Sequence, residues 1–195
     1  PLECNYHPIH GGCRSDYAEG VANILKAGKK VYGAVGTECG FLYSVIDSDC
    51  MVQCGHDFVI NLMNPEWPVS KLVDKIVPVW QLALHGLIVK ENHGITWRDT
   101  MTCILFGDHP RDEWSERDTY MPELTDERIN ALKARYDLCL QQFGYLQTLE
   151  LVSWEEPADG VQKTVFSDGT TVTADFNSEE LTVDVDTILC PEALK

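Results

Sequence analysis

Apolar and polar positions alternate with two different periods along the chain, and the change of period divides it. Apolar residues recur at helical spacing after Ser15 or Asp16, with Val21, Ile24 and Leu25 on one face, so a helix is expected over about 16–27, with Gly28 as its stop. Lys30-Val31-Tyr32-Gly33-Ala34-Val35-Gly36 reads as a short strand that is apolar on both faces, as a buried parallel strand would be. Periodicity then weakens across 41–70, where Asn64-Pro65-Glu66-Trp67-Pro68 marks a long loop of the kind that carries function. The continuous run Val77-Pro78-Val79-Trp80-Gln81-Leu82-Ala83-Leu84 ends at His85-Gly86 and reads as a second buried strand. A helix is expected near 97–106, and a polar loop over 107–122. A further helix opens at Thr125, with Ile129, Leu132, Tyr136, Cys139, Leu140 and Phe143 as its stripe and Gly144 as its stop.

After Gly144 the period becomes two. Leu149 to Trp154, Val161 to Phe166, Thr171 to Phe176 and Leu181 to Ile188 are expected strands, rich in Val, Thr and aromatics. Ser167-Asp168-Gly169-Thr170 supplies a hairpin turn, because Asp-Gly accepts the positive-φ positions of a tight turn. The fold class predicted is α/β: a C-terminal part of a (β/α)8 barrel over residues 1–144, followed by a small antiparallel β-sandwich over 145–195. A complete barrel takes roughly 250 residues, more than the chain has.

Composition narrows the partners. Of 195 residues, 31 are acidic and 15 basic, a formal net charge of −16 that disfavours phosphate backbones and anionic membrane surfaces as partners. No apolar run approaches the roughly 20 residues that span a bilayer, so no membrane insertion is expected. The chain opens on Pro1-Leu2-Glu3-Cys4 and reads as starting inside a longer protein, so it carries no indication of compartment. Eight cysteines are scattered without a disulfide framework and are expected to be mostly buried free thiols. Cys50-x3-Cys54-x-His56 resembles half a zinc site, but no second Cys/His pair follows at finger spacing, so no metal and no other cofactor is expected.

Phosphate-loop, G-x-S-x-G and H-E-x-x-H motifs are missing from the sequence, which leaves polar residues at the ends of apolar strands as the candidates. In a parallel barrel those C-terminal ends build the active site. Glu38 sits just past the first expected strand and His85 at the end of the second; the alternatives are a solvated loop carboxylate and a core histidine. Asp47 and Asp49 follow Glu38 and could bind sugar hydroxyls or simply form turns. His7, His10 and Arg14 occupy the first loop, where Arg14 could hold a hydroxyl or make a salt bridge at the helix start. Among Trp67, Trp80, Trp97 and Trp114, Trp67 in the Pro-rich loop is the best platform for stacking a sugar ring. Cys39, beside Glu38, has no histidine placed near it to activate it.

Four segments in order carry a resemblance: the His7-Pro8 to Arg14 loop; Gly36-Thr37-Glu38-Cys39-Gly40 after a strand; Val77 to Gly86; and Val161 to Thr170 with Val172 to Phe176 behind it. Together they resemble bacterial glycoside-hydrolase-like barrel proteins related to the endo-α-N-acetylgalactosaminidase group. The resemblance implies a retaining glycosidase, in which one carboxylate is the nucleophile and another the acid/base. Glu38 matches the acid/base position, and the nucleophile would lie on an earlier strand, in the N-terminal remainder of the barrel. His7, Arg14, Asp47, Asp49, Trp67 and His85 would contact a carbohydrate substrate. The chain departs from the pattern in Gly11-Gly12-Cys13 before Arg14 and in Phe41-Leu42-Tyr43 after the glutamate. The alternatives from other classes are a non-catalytic carbohydrate-binding protein and a structural accessory piece on the same scaffold.

Overall fold

A computed structural model describes residues 14–38, 42–52, 77–111 and 125–195. The chain is mixed α/β, with one parallel and one antiparallel sheet. Helix α1 (Arg14–Tyr32) carries Asp16 in its first turn and Lys29 and Lys30 in its last, the charge order that the helix dipole favours. It runs through Gly28 and stops at Gly33, which takes the left-handed φ of +86°. Gly28 serves packing instead: a Cβ there would meet Val35 Cγ1 at 2.9 Å. The strand expected over 30–36 therefore begins only at β1 (Gly36–Glu38).

The stretch expected to be a loop after residue 41 contains a short helix α2 (Leu42–Val45) and a strand β2 (Cys50–Val52). Val77–Gly86 is not a strand. Val79–Leu84 is a helix, α3, entered at Pro78, with Gln81, Leu84 and His85 buried at helical spacing. A short apolar run has no periodicity with which to tell a buried helix from a buried strand. The strand follows it as β3 (Val89–His93), hidden in the sequence by its polar Lys90, Glu91 and Asn92.

Helix α4 (Trp97–Phe106) matches its expected bounds. Thr96 and Asp99 form a reciprocal capping box, and Gly107 closes the helix with φ +58°. Strand β4 (His109–Arg111) lies in the segment read as loop. Helix α5 (Asp126–Tyr136) is capped by Thr125, whose side chain accepts from Arg128 N at 3.3 Å. Its buried positions are Ala131 and Arg135, while Ile129 and Tyr136 of the expected stripe are exposed. A π segment, Asp137–Gln142, and a 3-10 turn, Gly144–Thr148, follow; the wider turn shifts the inward face to Cys139 and Phe143.

The four strands β1-β2-β3-β4 are all parallel and lie side by side in sequence order. Such an order, without a reversal, is that of a singly wound sheet, the arrangement from which barrels are built. The second sheet is a meander of β5 (Leu151–Ala158), β6 (Val161–Phe166), β7 (Thr171–Asp175), β8 (Glu180–Val183) and β9 (Asp186–Ile188). Among the described residues it is one sheet, not the two facing sheets of a sandwich. Leu181 to Ile188, expected as one strand, turns back at Asp184, which takes φ +54°.

Helix α4 lies between the two sheets, which explains why all of its residues from Thr100 to Phe106 are buried. Met101, Ile104, Leu105 and Phe106 share one apolar core with Phe166, Val172, Ala174, Leu181 and Val183, so the core runs without a break across Gly144. Thr164 Oγ1 donates to Leu105 O at 2.7 Å and ties the antiparallel sheet to the end of α4. No helix among the described residues is long and apolar enough to cross a membrane. Cys103 and Cys139 are buried free thiols, and Cys50 and Cys190 are partly buried ones.

Candidate functional site

The side chains of the parallel sheet divide cleanly between its two faces. The register places Thr37, Met51 and Lys90 in one row, and Asp108, the residue before β4, extends that row. Met51, Lys90, Asn92 and Asp108 are all buried. Met51 packs with Leu84, Ile88, Val45 and Trp80, so this face is the one covered by helices. Because neighbouring side chains alternate, Glu38, Cys50, Val52, Val89, Glu91, His109 and Arg111 point to the other face. Each of these seven is exposed or half-buried.

Glu38 ends β1 on that accessible face, at the C-terminal side of the sheet. Glu91 in β3 shares the face, and Arg111 at the end of β4 donates from Nη1 to Glu91 Oε2 at 3.1 Å. Both partners keep part of their side chains in contact with solvent, 30% for Arg111 and 21% for Glu91. Cys50 lies at the other end of the same face. Burial raises its thiol pKa, Glu91 adds to that and Arg111 opposes it, so Cys50 is protonated at neutral pH and is not primed as a nucleophile.

Arg135 fixes the C-terminal ends of β3 and β4 from behind. Its guanidinium is 2% exposed and donates to Asn92 O at 2.9 Å, to Arg111 O at 3.0 Å and to Gly94 O. These carbonyls belong to the backbone beside Glu91 and to that of Arg111 itself, so α5 sets where the ion pair stands. Arg135 is a charged residue on the inward face of α5, where an apolar stripe does not predict it.

Asp47, Asp49 and His85 lie elsewhere among the described residues. Asp49 precedes β2 and is built into the N-terminal edge of the sheet. Its carboxylate accepts from Lys29 Nζ at 2.6 Å and Val35 N at 3.0 Å, and its carbonyl accepts from Val89 N at 3.0 Å. The Lys29 hydrogen bond, then the Val35 one, lowers the Asp49 pKa. Asp47 sits 3.7 Å from Lys26 on α1. Arg14 is the first residue of α1, and His7 and Trp67 lie outside the described residues. Trp80 and Trp97 serve the core: Trp80 packs near Met51, and Trp97 Nε1 donates to Glu179 O at 2.8 Å.

His85 caps α3 and lies toward the N-terminal end of β3, away from Glu38. Its Nε2–H donates to Leu146 O at 2.8 Å, which leaves Nδ1 without a proton, and its ring meets Phe166 edge-on at 5.5 Å. Gly107 approaches the ring so closely that a Cβ would stand 2.7 Å from it. Burial, reinforced by Lys90, lowers the His85 pKa from 6.5 to about 4. The folded state therefore resists protonation while the unfolded state accepts it. Stability should fall as pH drops from about 6.5 to about 4, and be unaffected by this group above that window. In His85→Gln that part of the pH dependence should vanish; thermal melts at pH 7, 5.5 and 4.5 check it, and an unchanged slope would remove His85 as the cause.

Among the described residues no group of three or more His, Cys, Asp and Glu is placed to hold a metal ion; Cys54 and His56 lie outside them.

No family model matches the chain, and no curated protein matches it in sequence. Solved structures do. The quadruple mutant of α-N-acetylgalactosaminidase NagBb from Bifidobacterium bifidum superposes with a TM-score of 0.70 and 21% identity, covering 95% of this chain and 29% of that one. The same enzyme in its Gal-NHAc-DNJ complex gives 0.70 and 22%, covering 93% and 30%, and its GalNAc complex gives 0.69 and 23%, covering 93% and 29%. At these identities the likeness is one of fold: this chain has a glycoside-hydrolase-related fold, and it spans under a third of that enzyme's length.

Proposed function

We propose that the chain is the C-terminal part of a (β/α)8 barrel glycosidase, with residues 1–144 closing the barrel and 145–195 forming the β unit packed behind it. The reaction is hydrolysis of a glycosidic bond in an oligosaccharide or glycoconjugate, and the substrate class is an N-acetylgalactosamine-containing glycan. One observation carries this reading. Glu38 stands at the C-terminal end of a strand, on the accessible face of a sequentially ordered parallel sheet, where barrel enzymes hold their chemistry. The sequence resemblance and the fold likeness to a glycosidase support it independently.

In this reading Glu38 is the acid/base. It protonates the oxygen of the leaving group while a carboxylate from the preceding part of the barrel attacks the anomeric carbon with retention, and it then deprotonates the water that releases the sugar. The N-terminal remainder of the barrel supplies that nucleophile and faces the accessible side of the sheet. Arg14, at the start of α1, is a further candidate for contact with the sugar, as the sequence resemblance implies for His7 and Trp67.

The test is hydrolysis of an α-linked N-acetylgalactosaminide by the full-length protein, followed by release of reducing sugar. Turnover that disappears in Glu38→Gln is expected. A full-length protein that binds N-acetylgalactosamine but hydrolyses no glycoside on a broad panel would replace the enzyme by a carbohydrate-binding protein.

A further inference from the structure

The face that holds Glu38 carries a second charged unit that the acid/base role does not use. Glu91 and Arg111 are joined at 3.1 Å, and both remain partly open to solvent. Their backbones are pinned by a buried arginine that donates to the carbonyls of Asn92 and Arg111. The pair is half-buried, with 30% of the Arg111 side chain and 21% of the Glu91 side chain open to solvent, so both groups are held in place and still within reach of a ligand. Continuing the β2–β3 register by one residue puts Val52 beside Glu91, so Glu38 and Glu91 stand two strands apart in one row, roughly 10 Å between backbones.

We propose that Glu91 and Arg111 form the sugar-gripping subsite of this face. The proposal rests on the carbohydrate reading above and adds the residues that recognise the ring. A carboxylate only accepts hydrogen bonds and a guanidinium only donates them. Side by side, the two offer an acceptor and a donor to adjacent sugar oxygens: one hydroxyl donates to Glu91, and its neighbour accepts from Arg111. Their ion pair fixes both groups before the ligand arrives, which reduces the ordering cost of binding. Arg135 is a positioning residue for the pair. The charged hydrogen bonds lost on substitution are each strong enough to change affinity about tenfold or more.

The experiment is a calorimetric titration of the full-length protein with free N-acetylgalactosamine and with its monodeoxy derivatives. Wild type, Glu91→Gln and Arg111→Ala are compared, each first checked for a cooperative melt. Glu91→Gln and Arg111→Ala should each weaken binding of the parent sugar about tenfold or more. Against at least one deoxy sugar, lacking the gripped hydroxyl, Glu91→Gln and wild type should bind equally. Wild-type affinity in both subsite variants would overturn the subsite and leave the glycosidase reading standing. Weakening by the same factor for every deoxy sugar would make Glu91 a merely structural residue and would also overturn it. No binding by the wild type would end the carbohydrate reading and this proposal together.

Discussion

Replacing Glu38 by glutamine in the full-length protein is expected to lower turnover of an unactivated glycoside by about 10²- to 10⁴-fold, the usual contribution of a positioned general acid. Glutamine keeps the shape and the hydrogen-bonding reach of the side chain but has no proton to give to the leaving oxygen. An aryl glycoside with an acidic phenol leaves without that help, so its glycosylation step should slow much less. The contrast between substrates matters more than the size of either effect, because a variant that merely folds badly loses both rates in proportion. Steady-state kinetics on both substrates checks it, and wild-type rates on both would make Glu38 a bystander. Glu38 is exposed at the end of β1, so among the described residues the substitution disturbs no buried packing.

The largest stability effect is expected on the opposite face. Lys90 Nζ donates to Asp108 Oδ1 at 2.7 Å, and the two side chains are 3% and 0% exposed. They stand side by side on β3 and at the start of β4, and their pairing fixes the register that also aligns Glu91 with His109. Lys90→Met leaves a carboxylate in the core without its cation, which costs about 3–5 kcal/mol. For a chain of this size that corresponds to a fall in Tm of roughly 6–20 °C. Replacing both partners, Lys90→Met with Asp108→Leu, removes the stranded charge and should recover most of the loss. A single variant as stable as wild type, or a double variant no better than the single one, would contradict a structural ion pair. Thermal melts of the three variants decide between these outcomes.

Local sequence predicts the fold where local chemistry and burial agree. The helix expected near 97–106 matches Trp97–Phe106, and Val161–Phe166 was legible because its alternation matches a half-buried sheet. Local sequence misleads where a residue type serves a tertiary purpose. Gly28 looks like a helix stop but makes room for Val35, and Val79–Leu84 is apolar because it is buried as a helix. Strand β3 was missed because its helix-facing positions are Lys90 and Asn92, whose burial depends on partners far along the chain. With β3 went Glu91, although Leu87-Ile88-Val89 leading into Glu91 repeats the pattern of Val35-Gly36-Thr37-Glu38, an apolar strand start followed by a glutamate. The strand end at Glu38 was legible because the apolar run just before it marks the strand. The Glu91–Arg111 pair was not, because it depends on a register between strands that sequence spacing does not encode.

The most direct measurement is a crystal structure of the full-length protein with N-acetylgalactosamine bound. The account predicts the sugar on the accessible face of the parallel sheet, with its anomeric oxygen toward Glu38 and two ring hydroxyls toward Glu91 and Arg111. A sugar seated instead in the cavity of about 310 Å³ lined by His85, Asp49 and Gln147, at the N-terminal end of the strands, would contradict it.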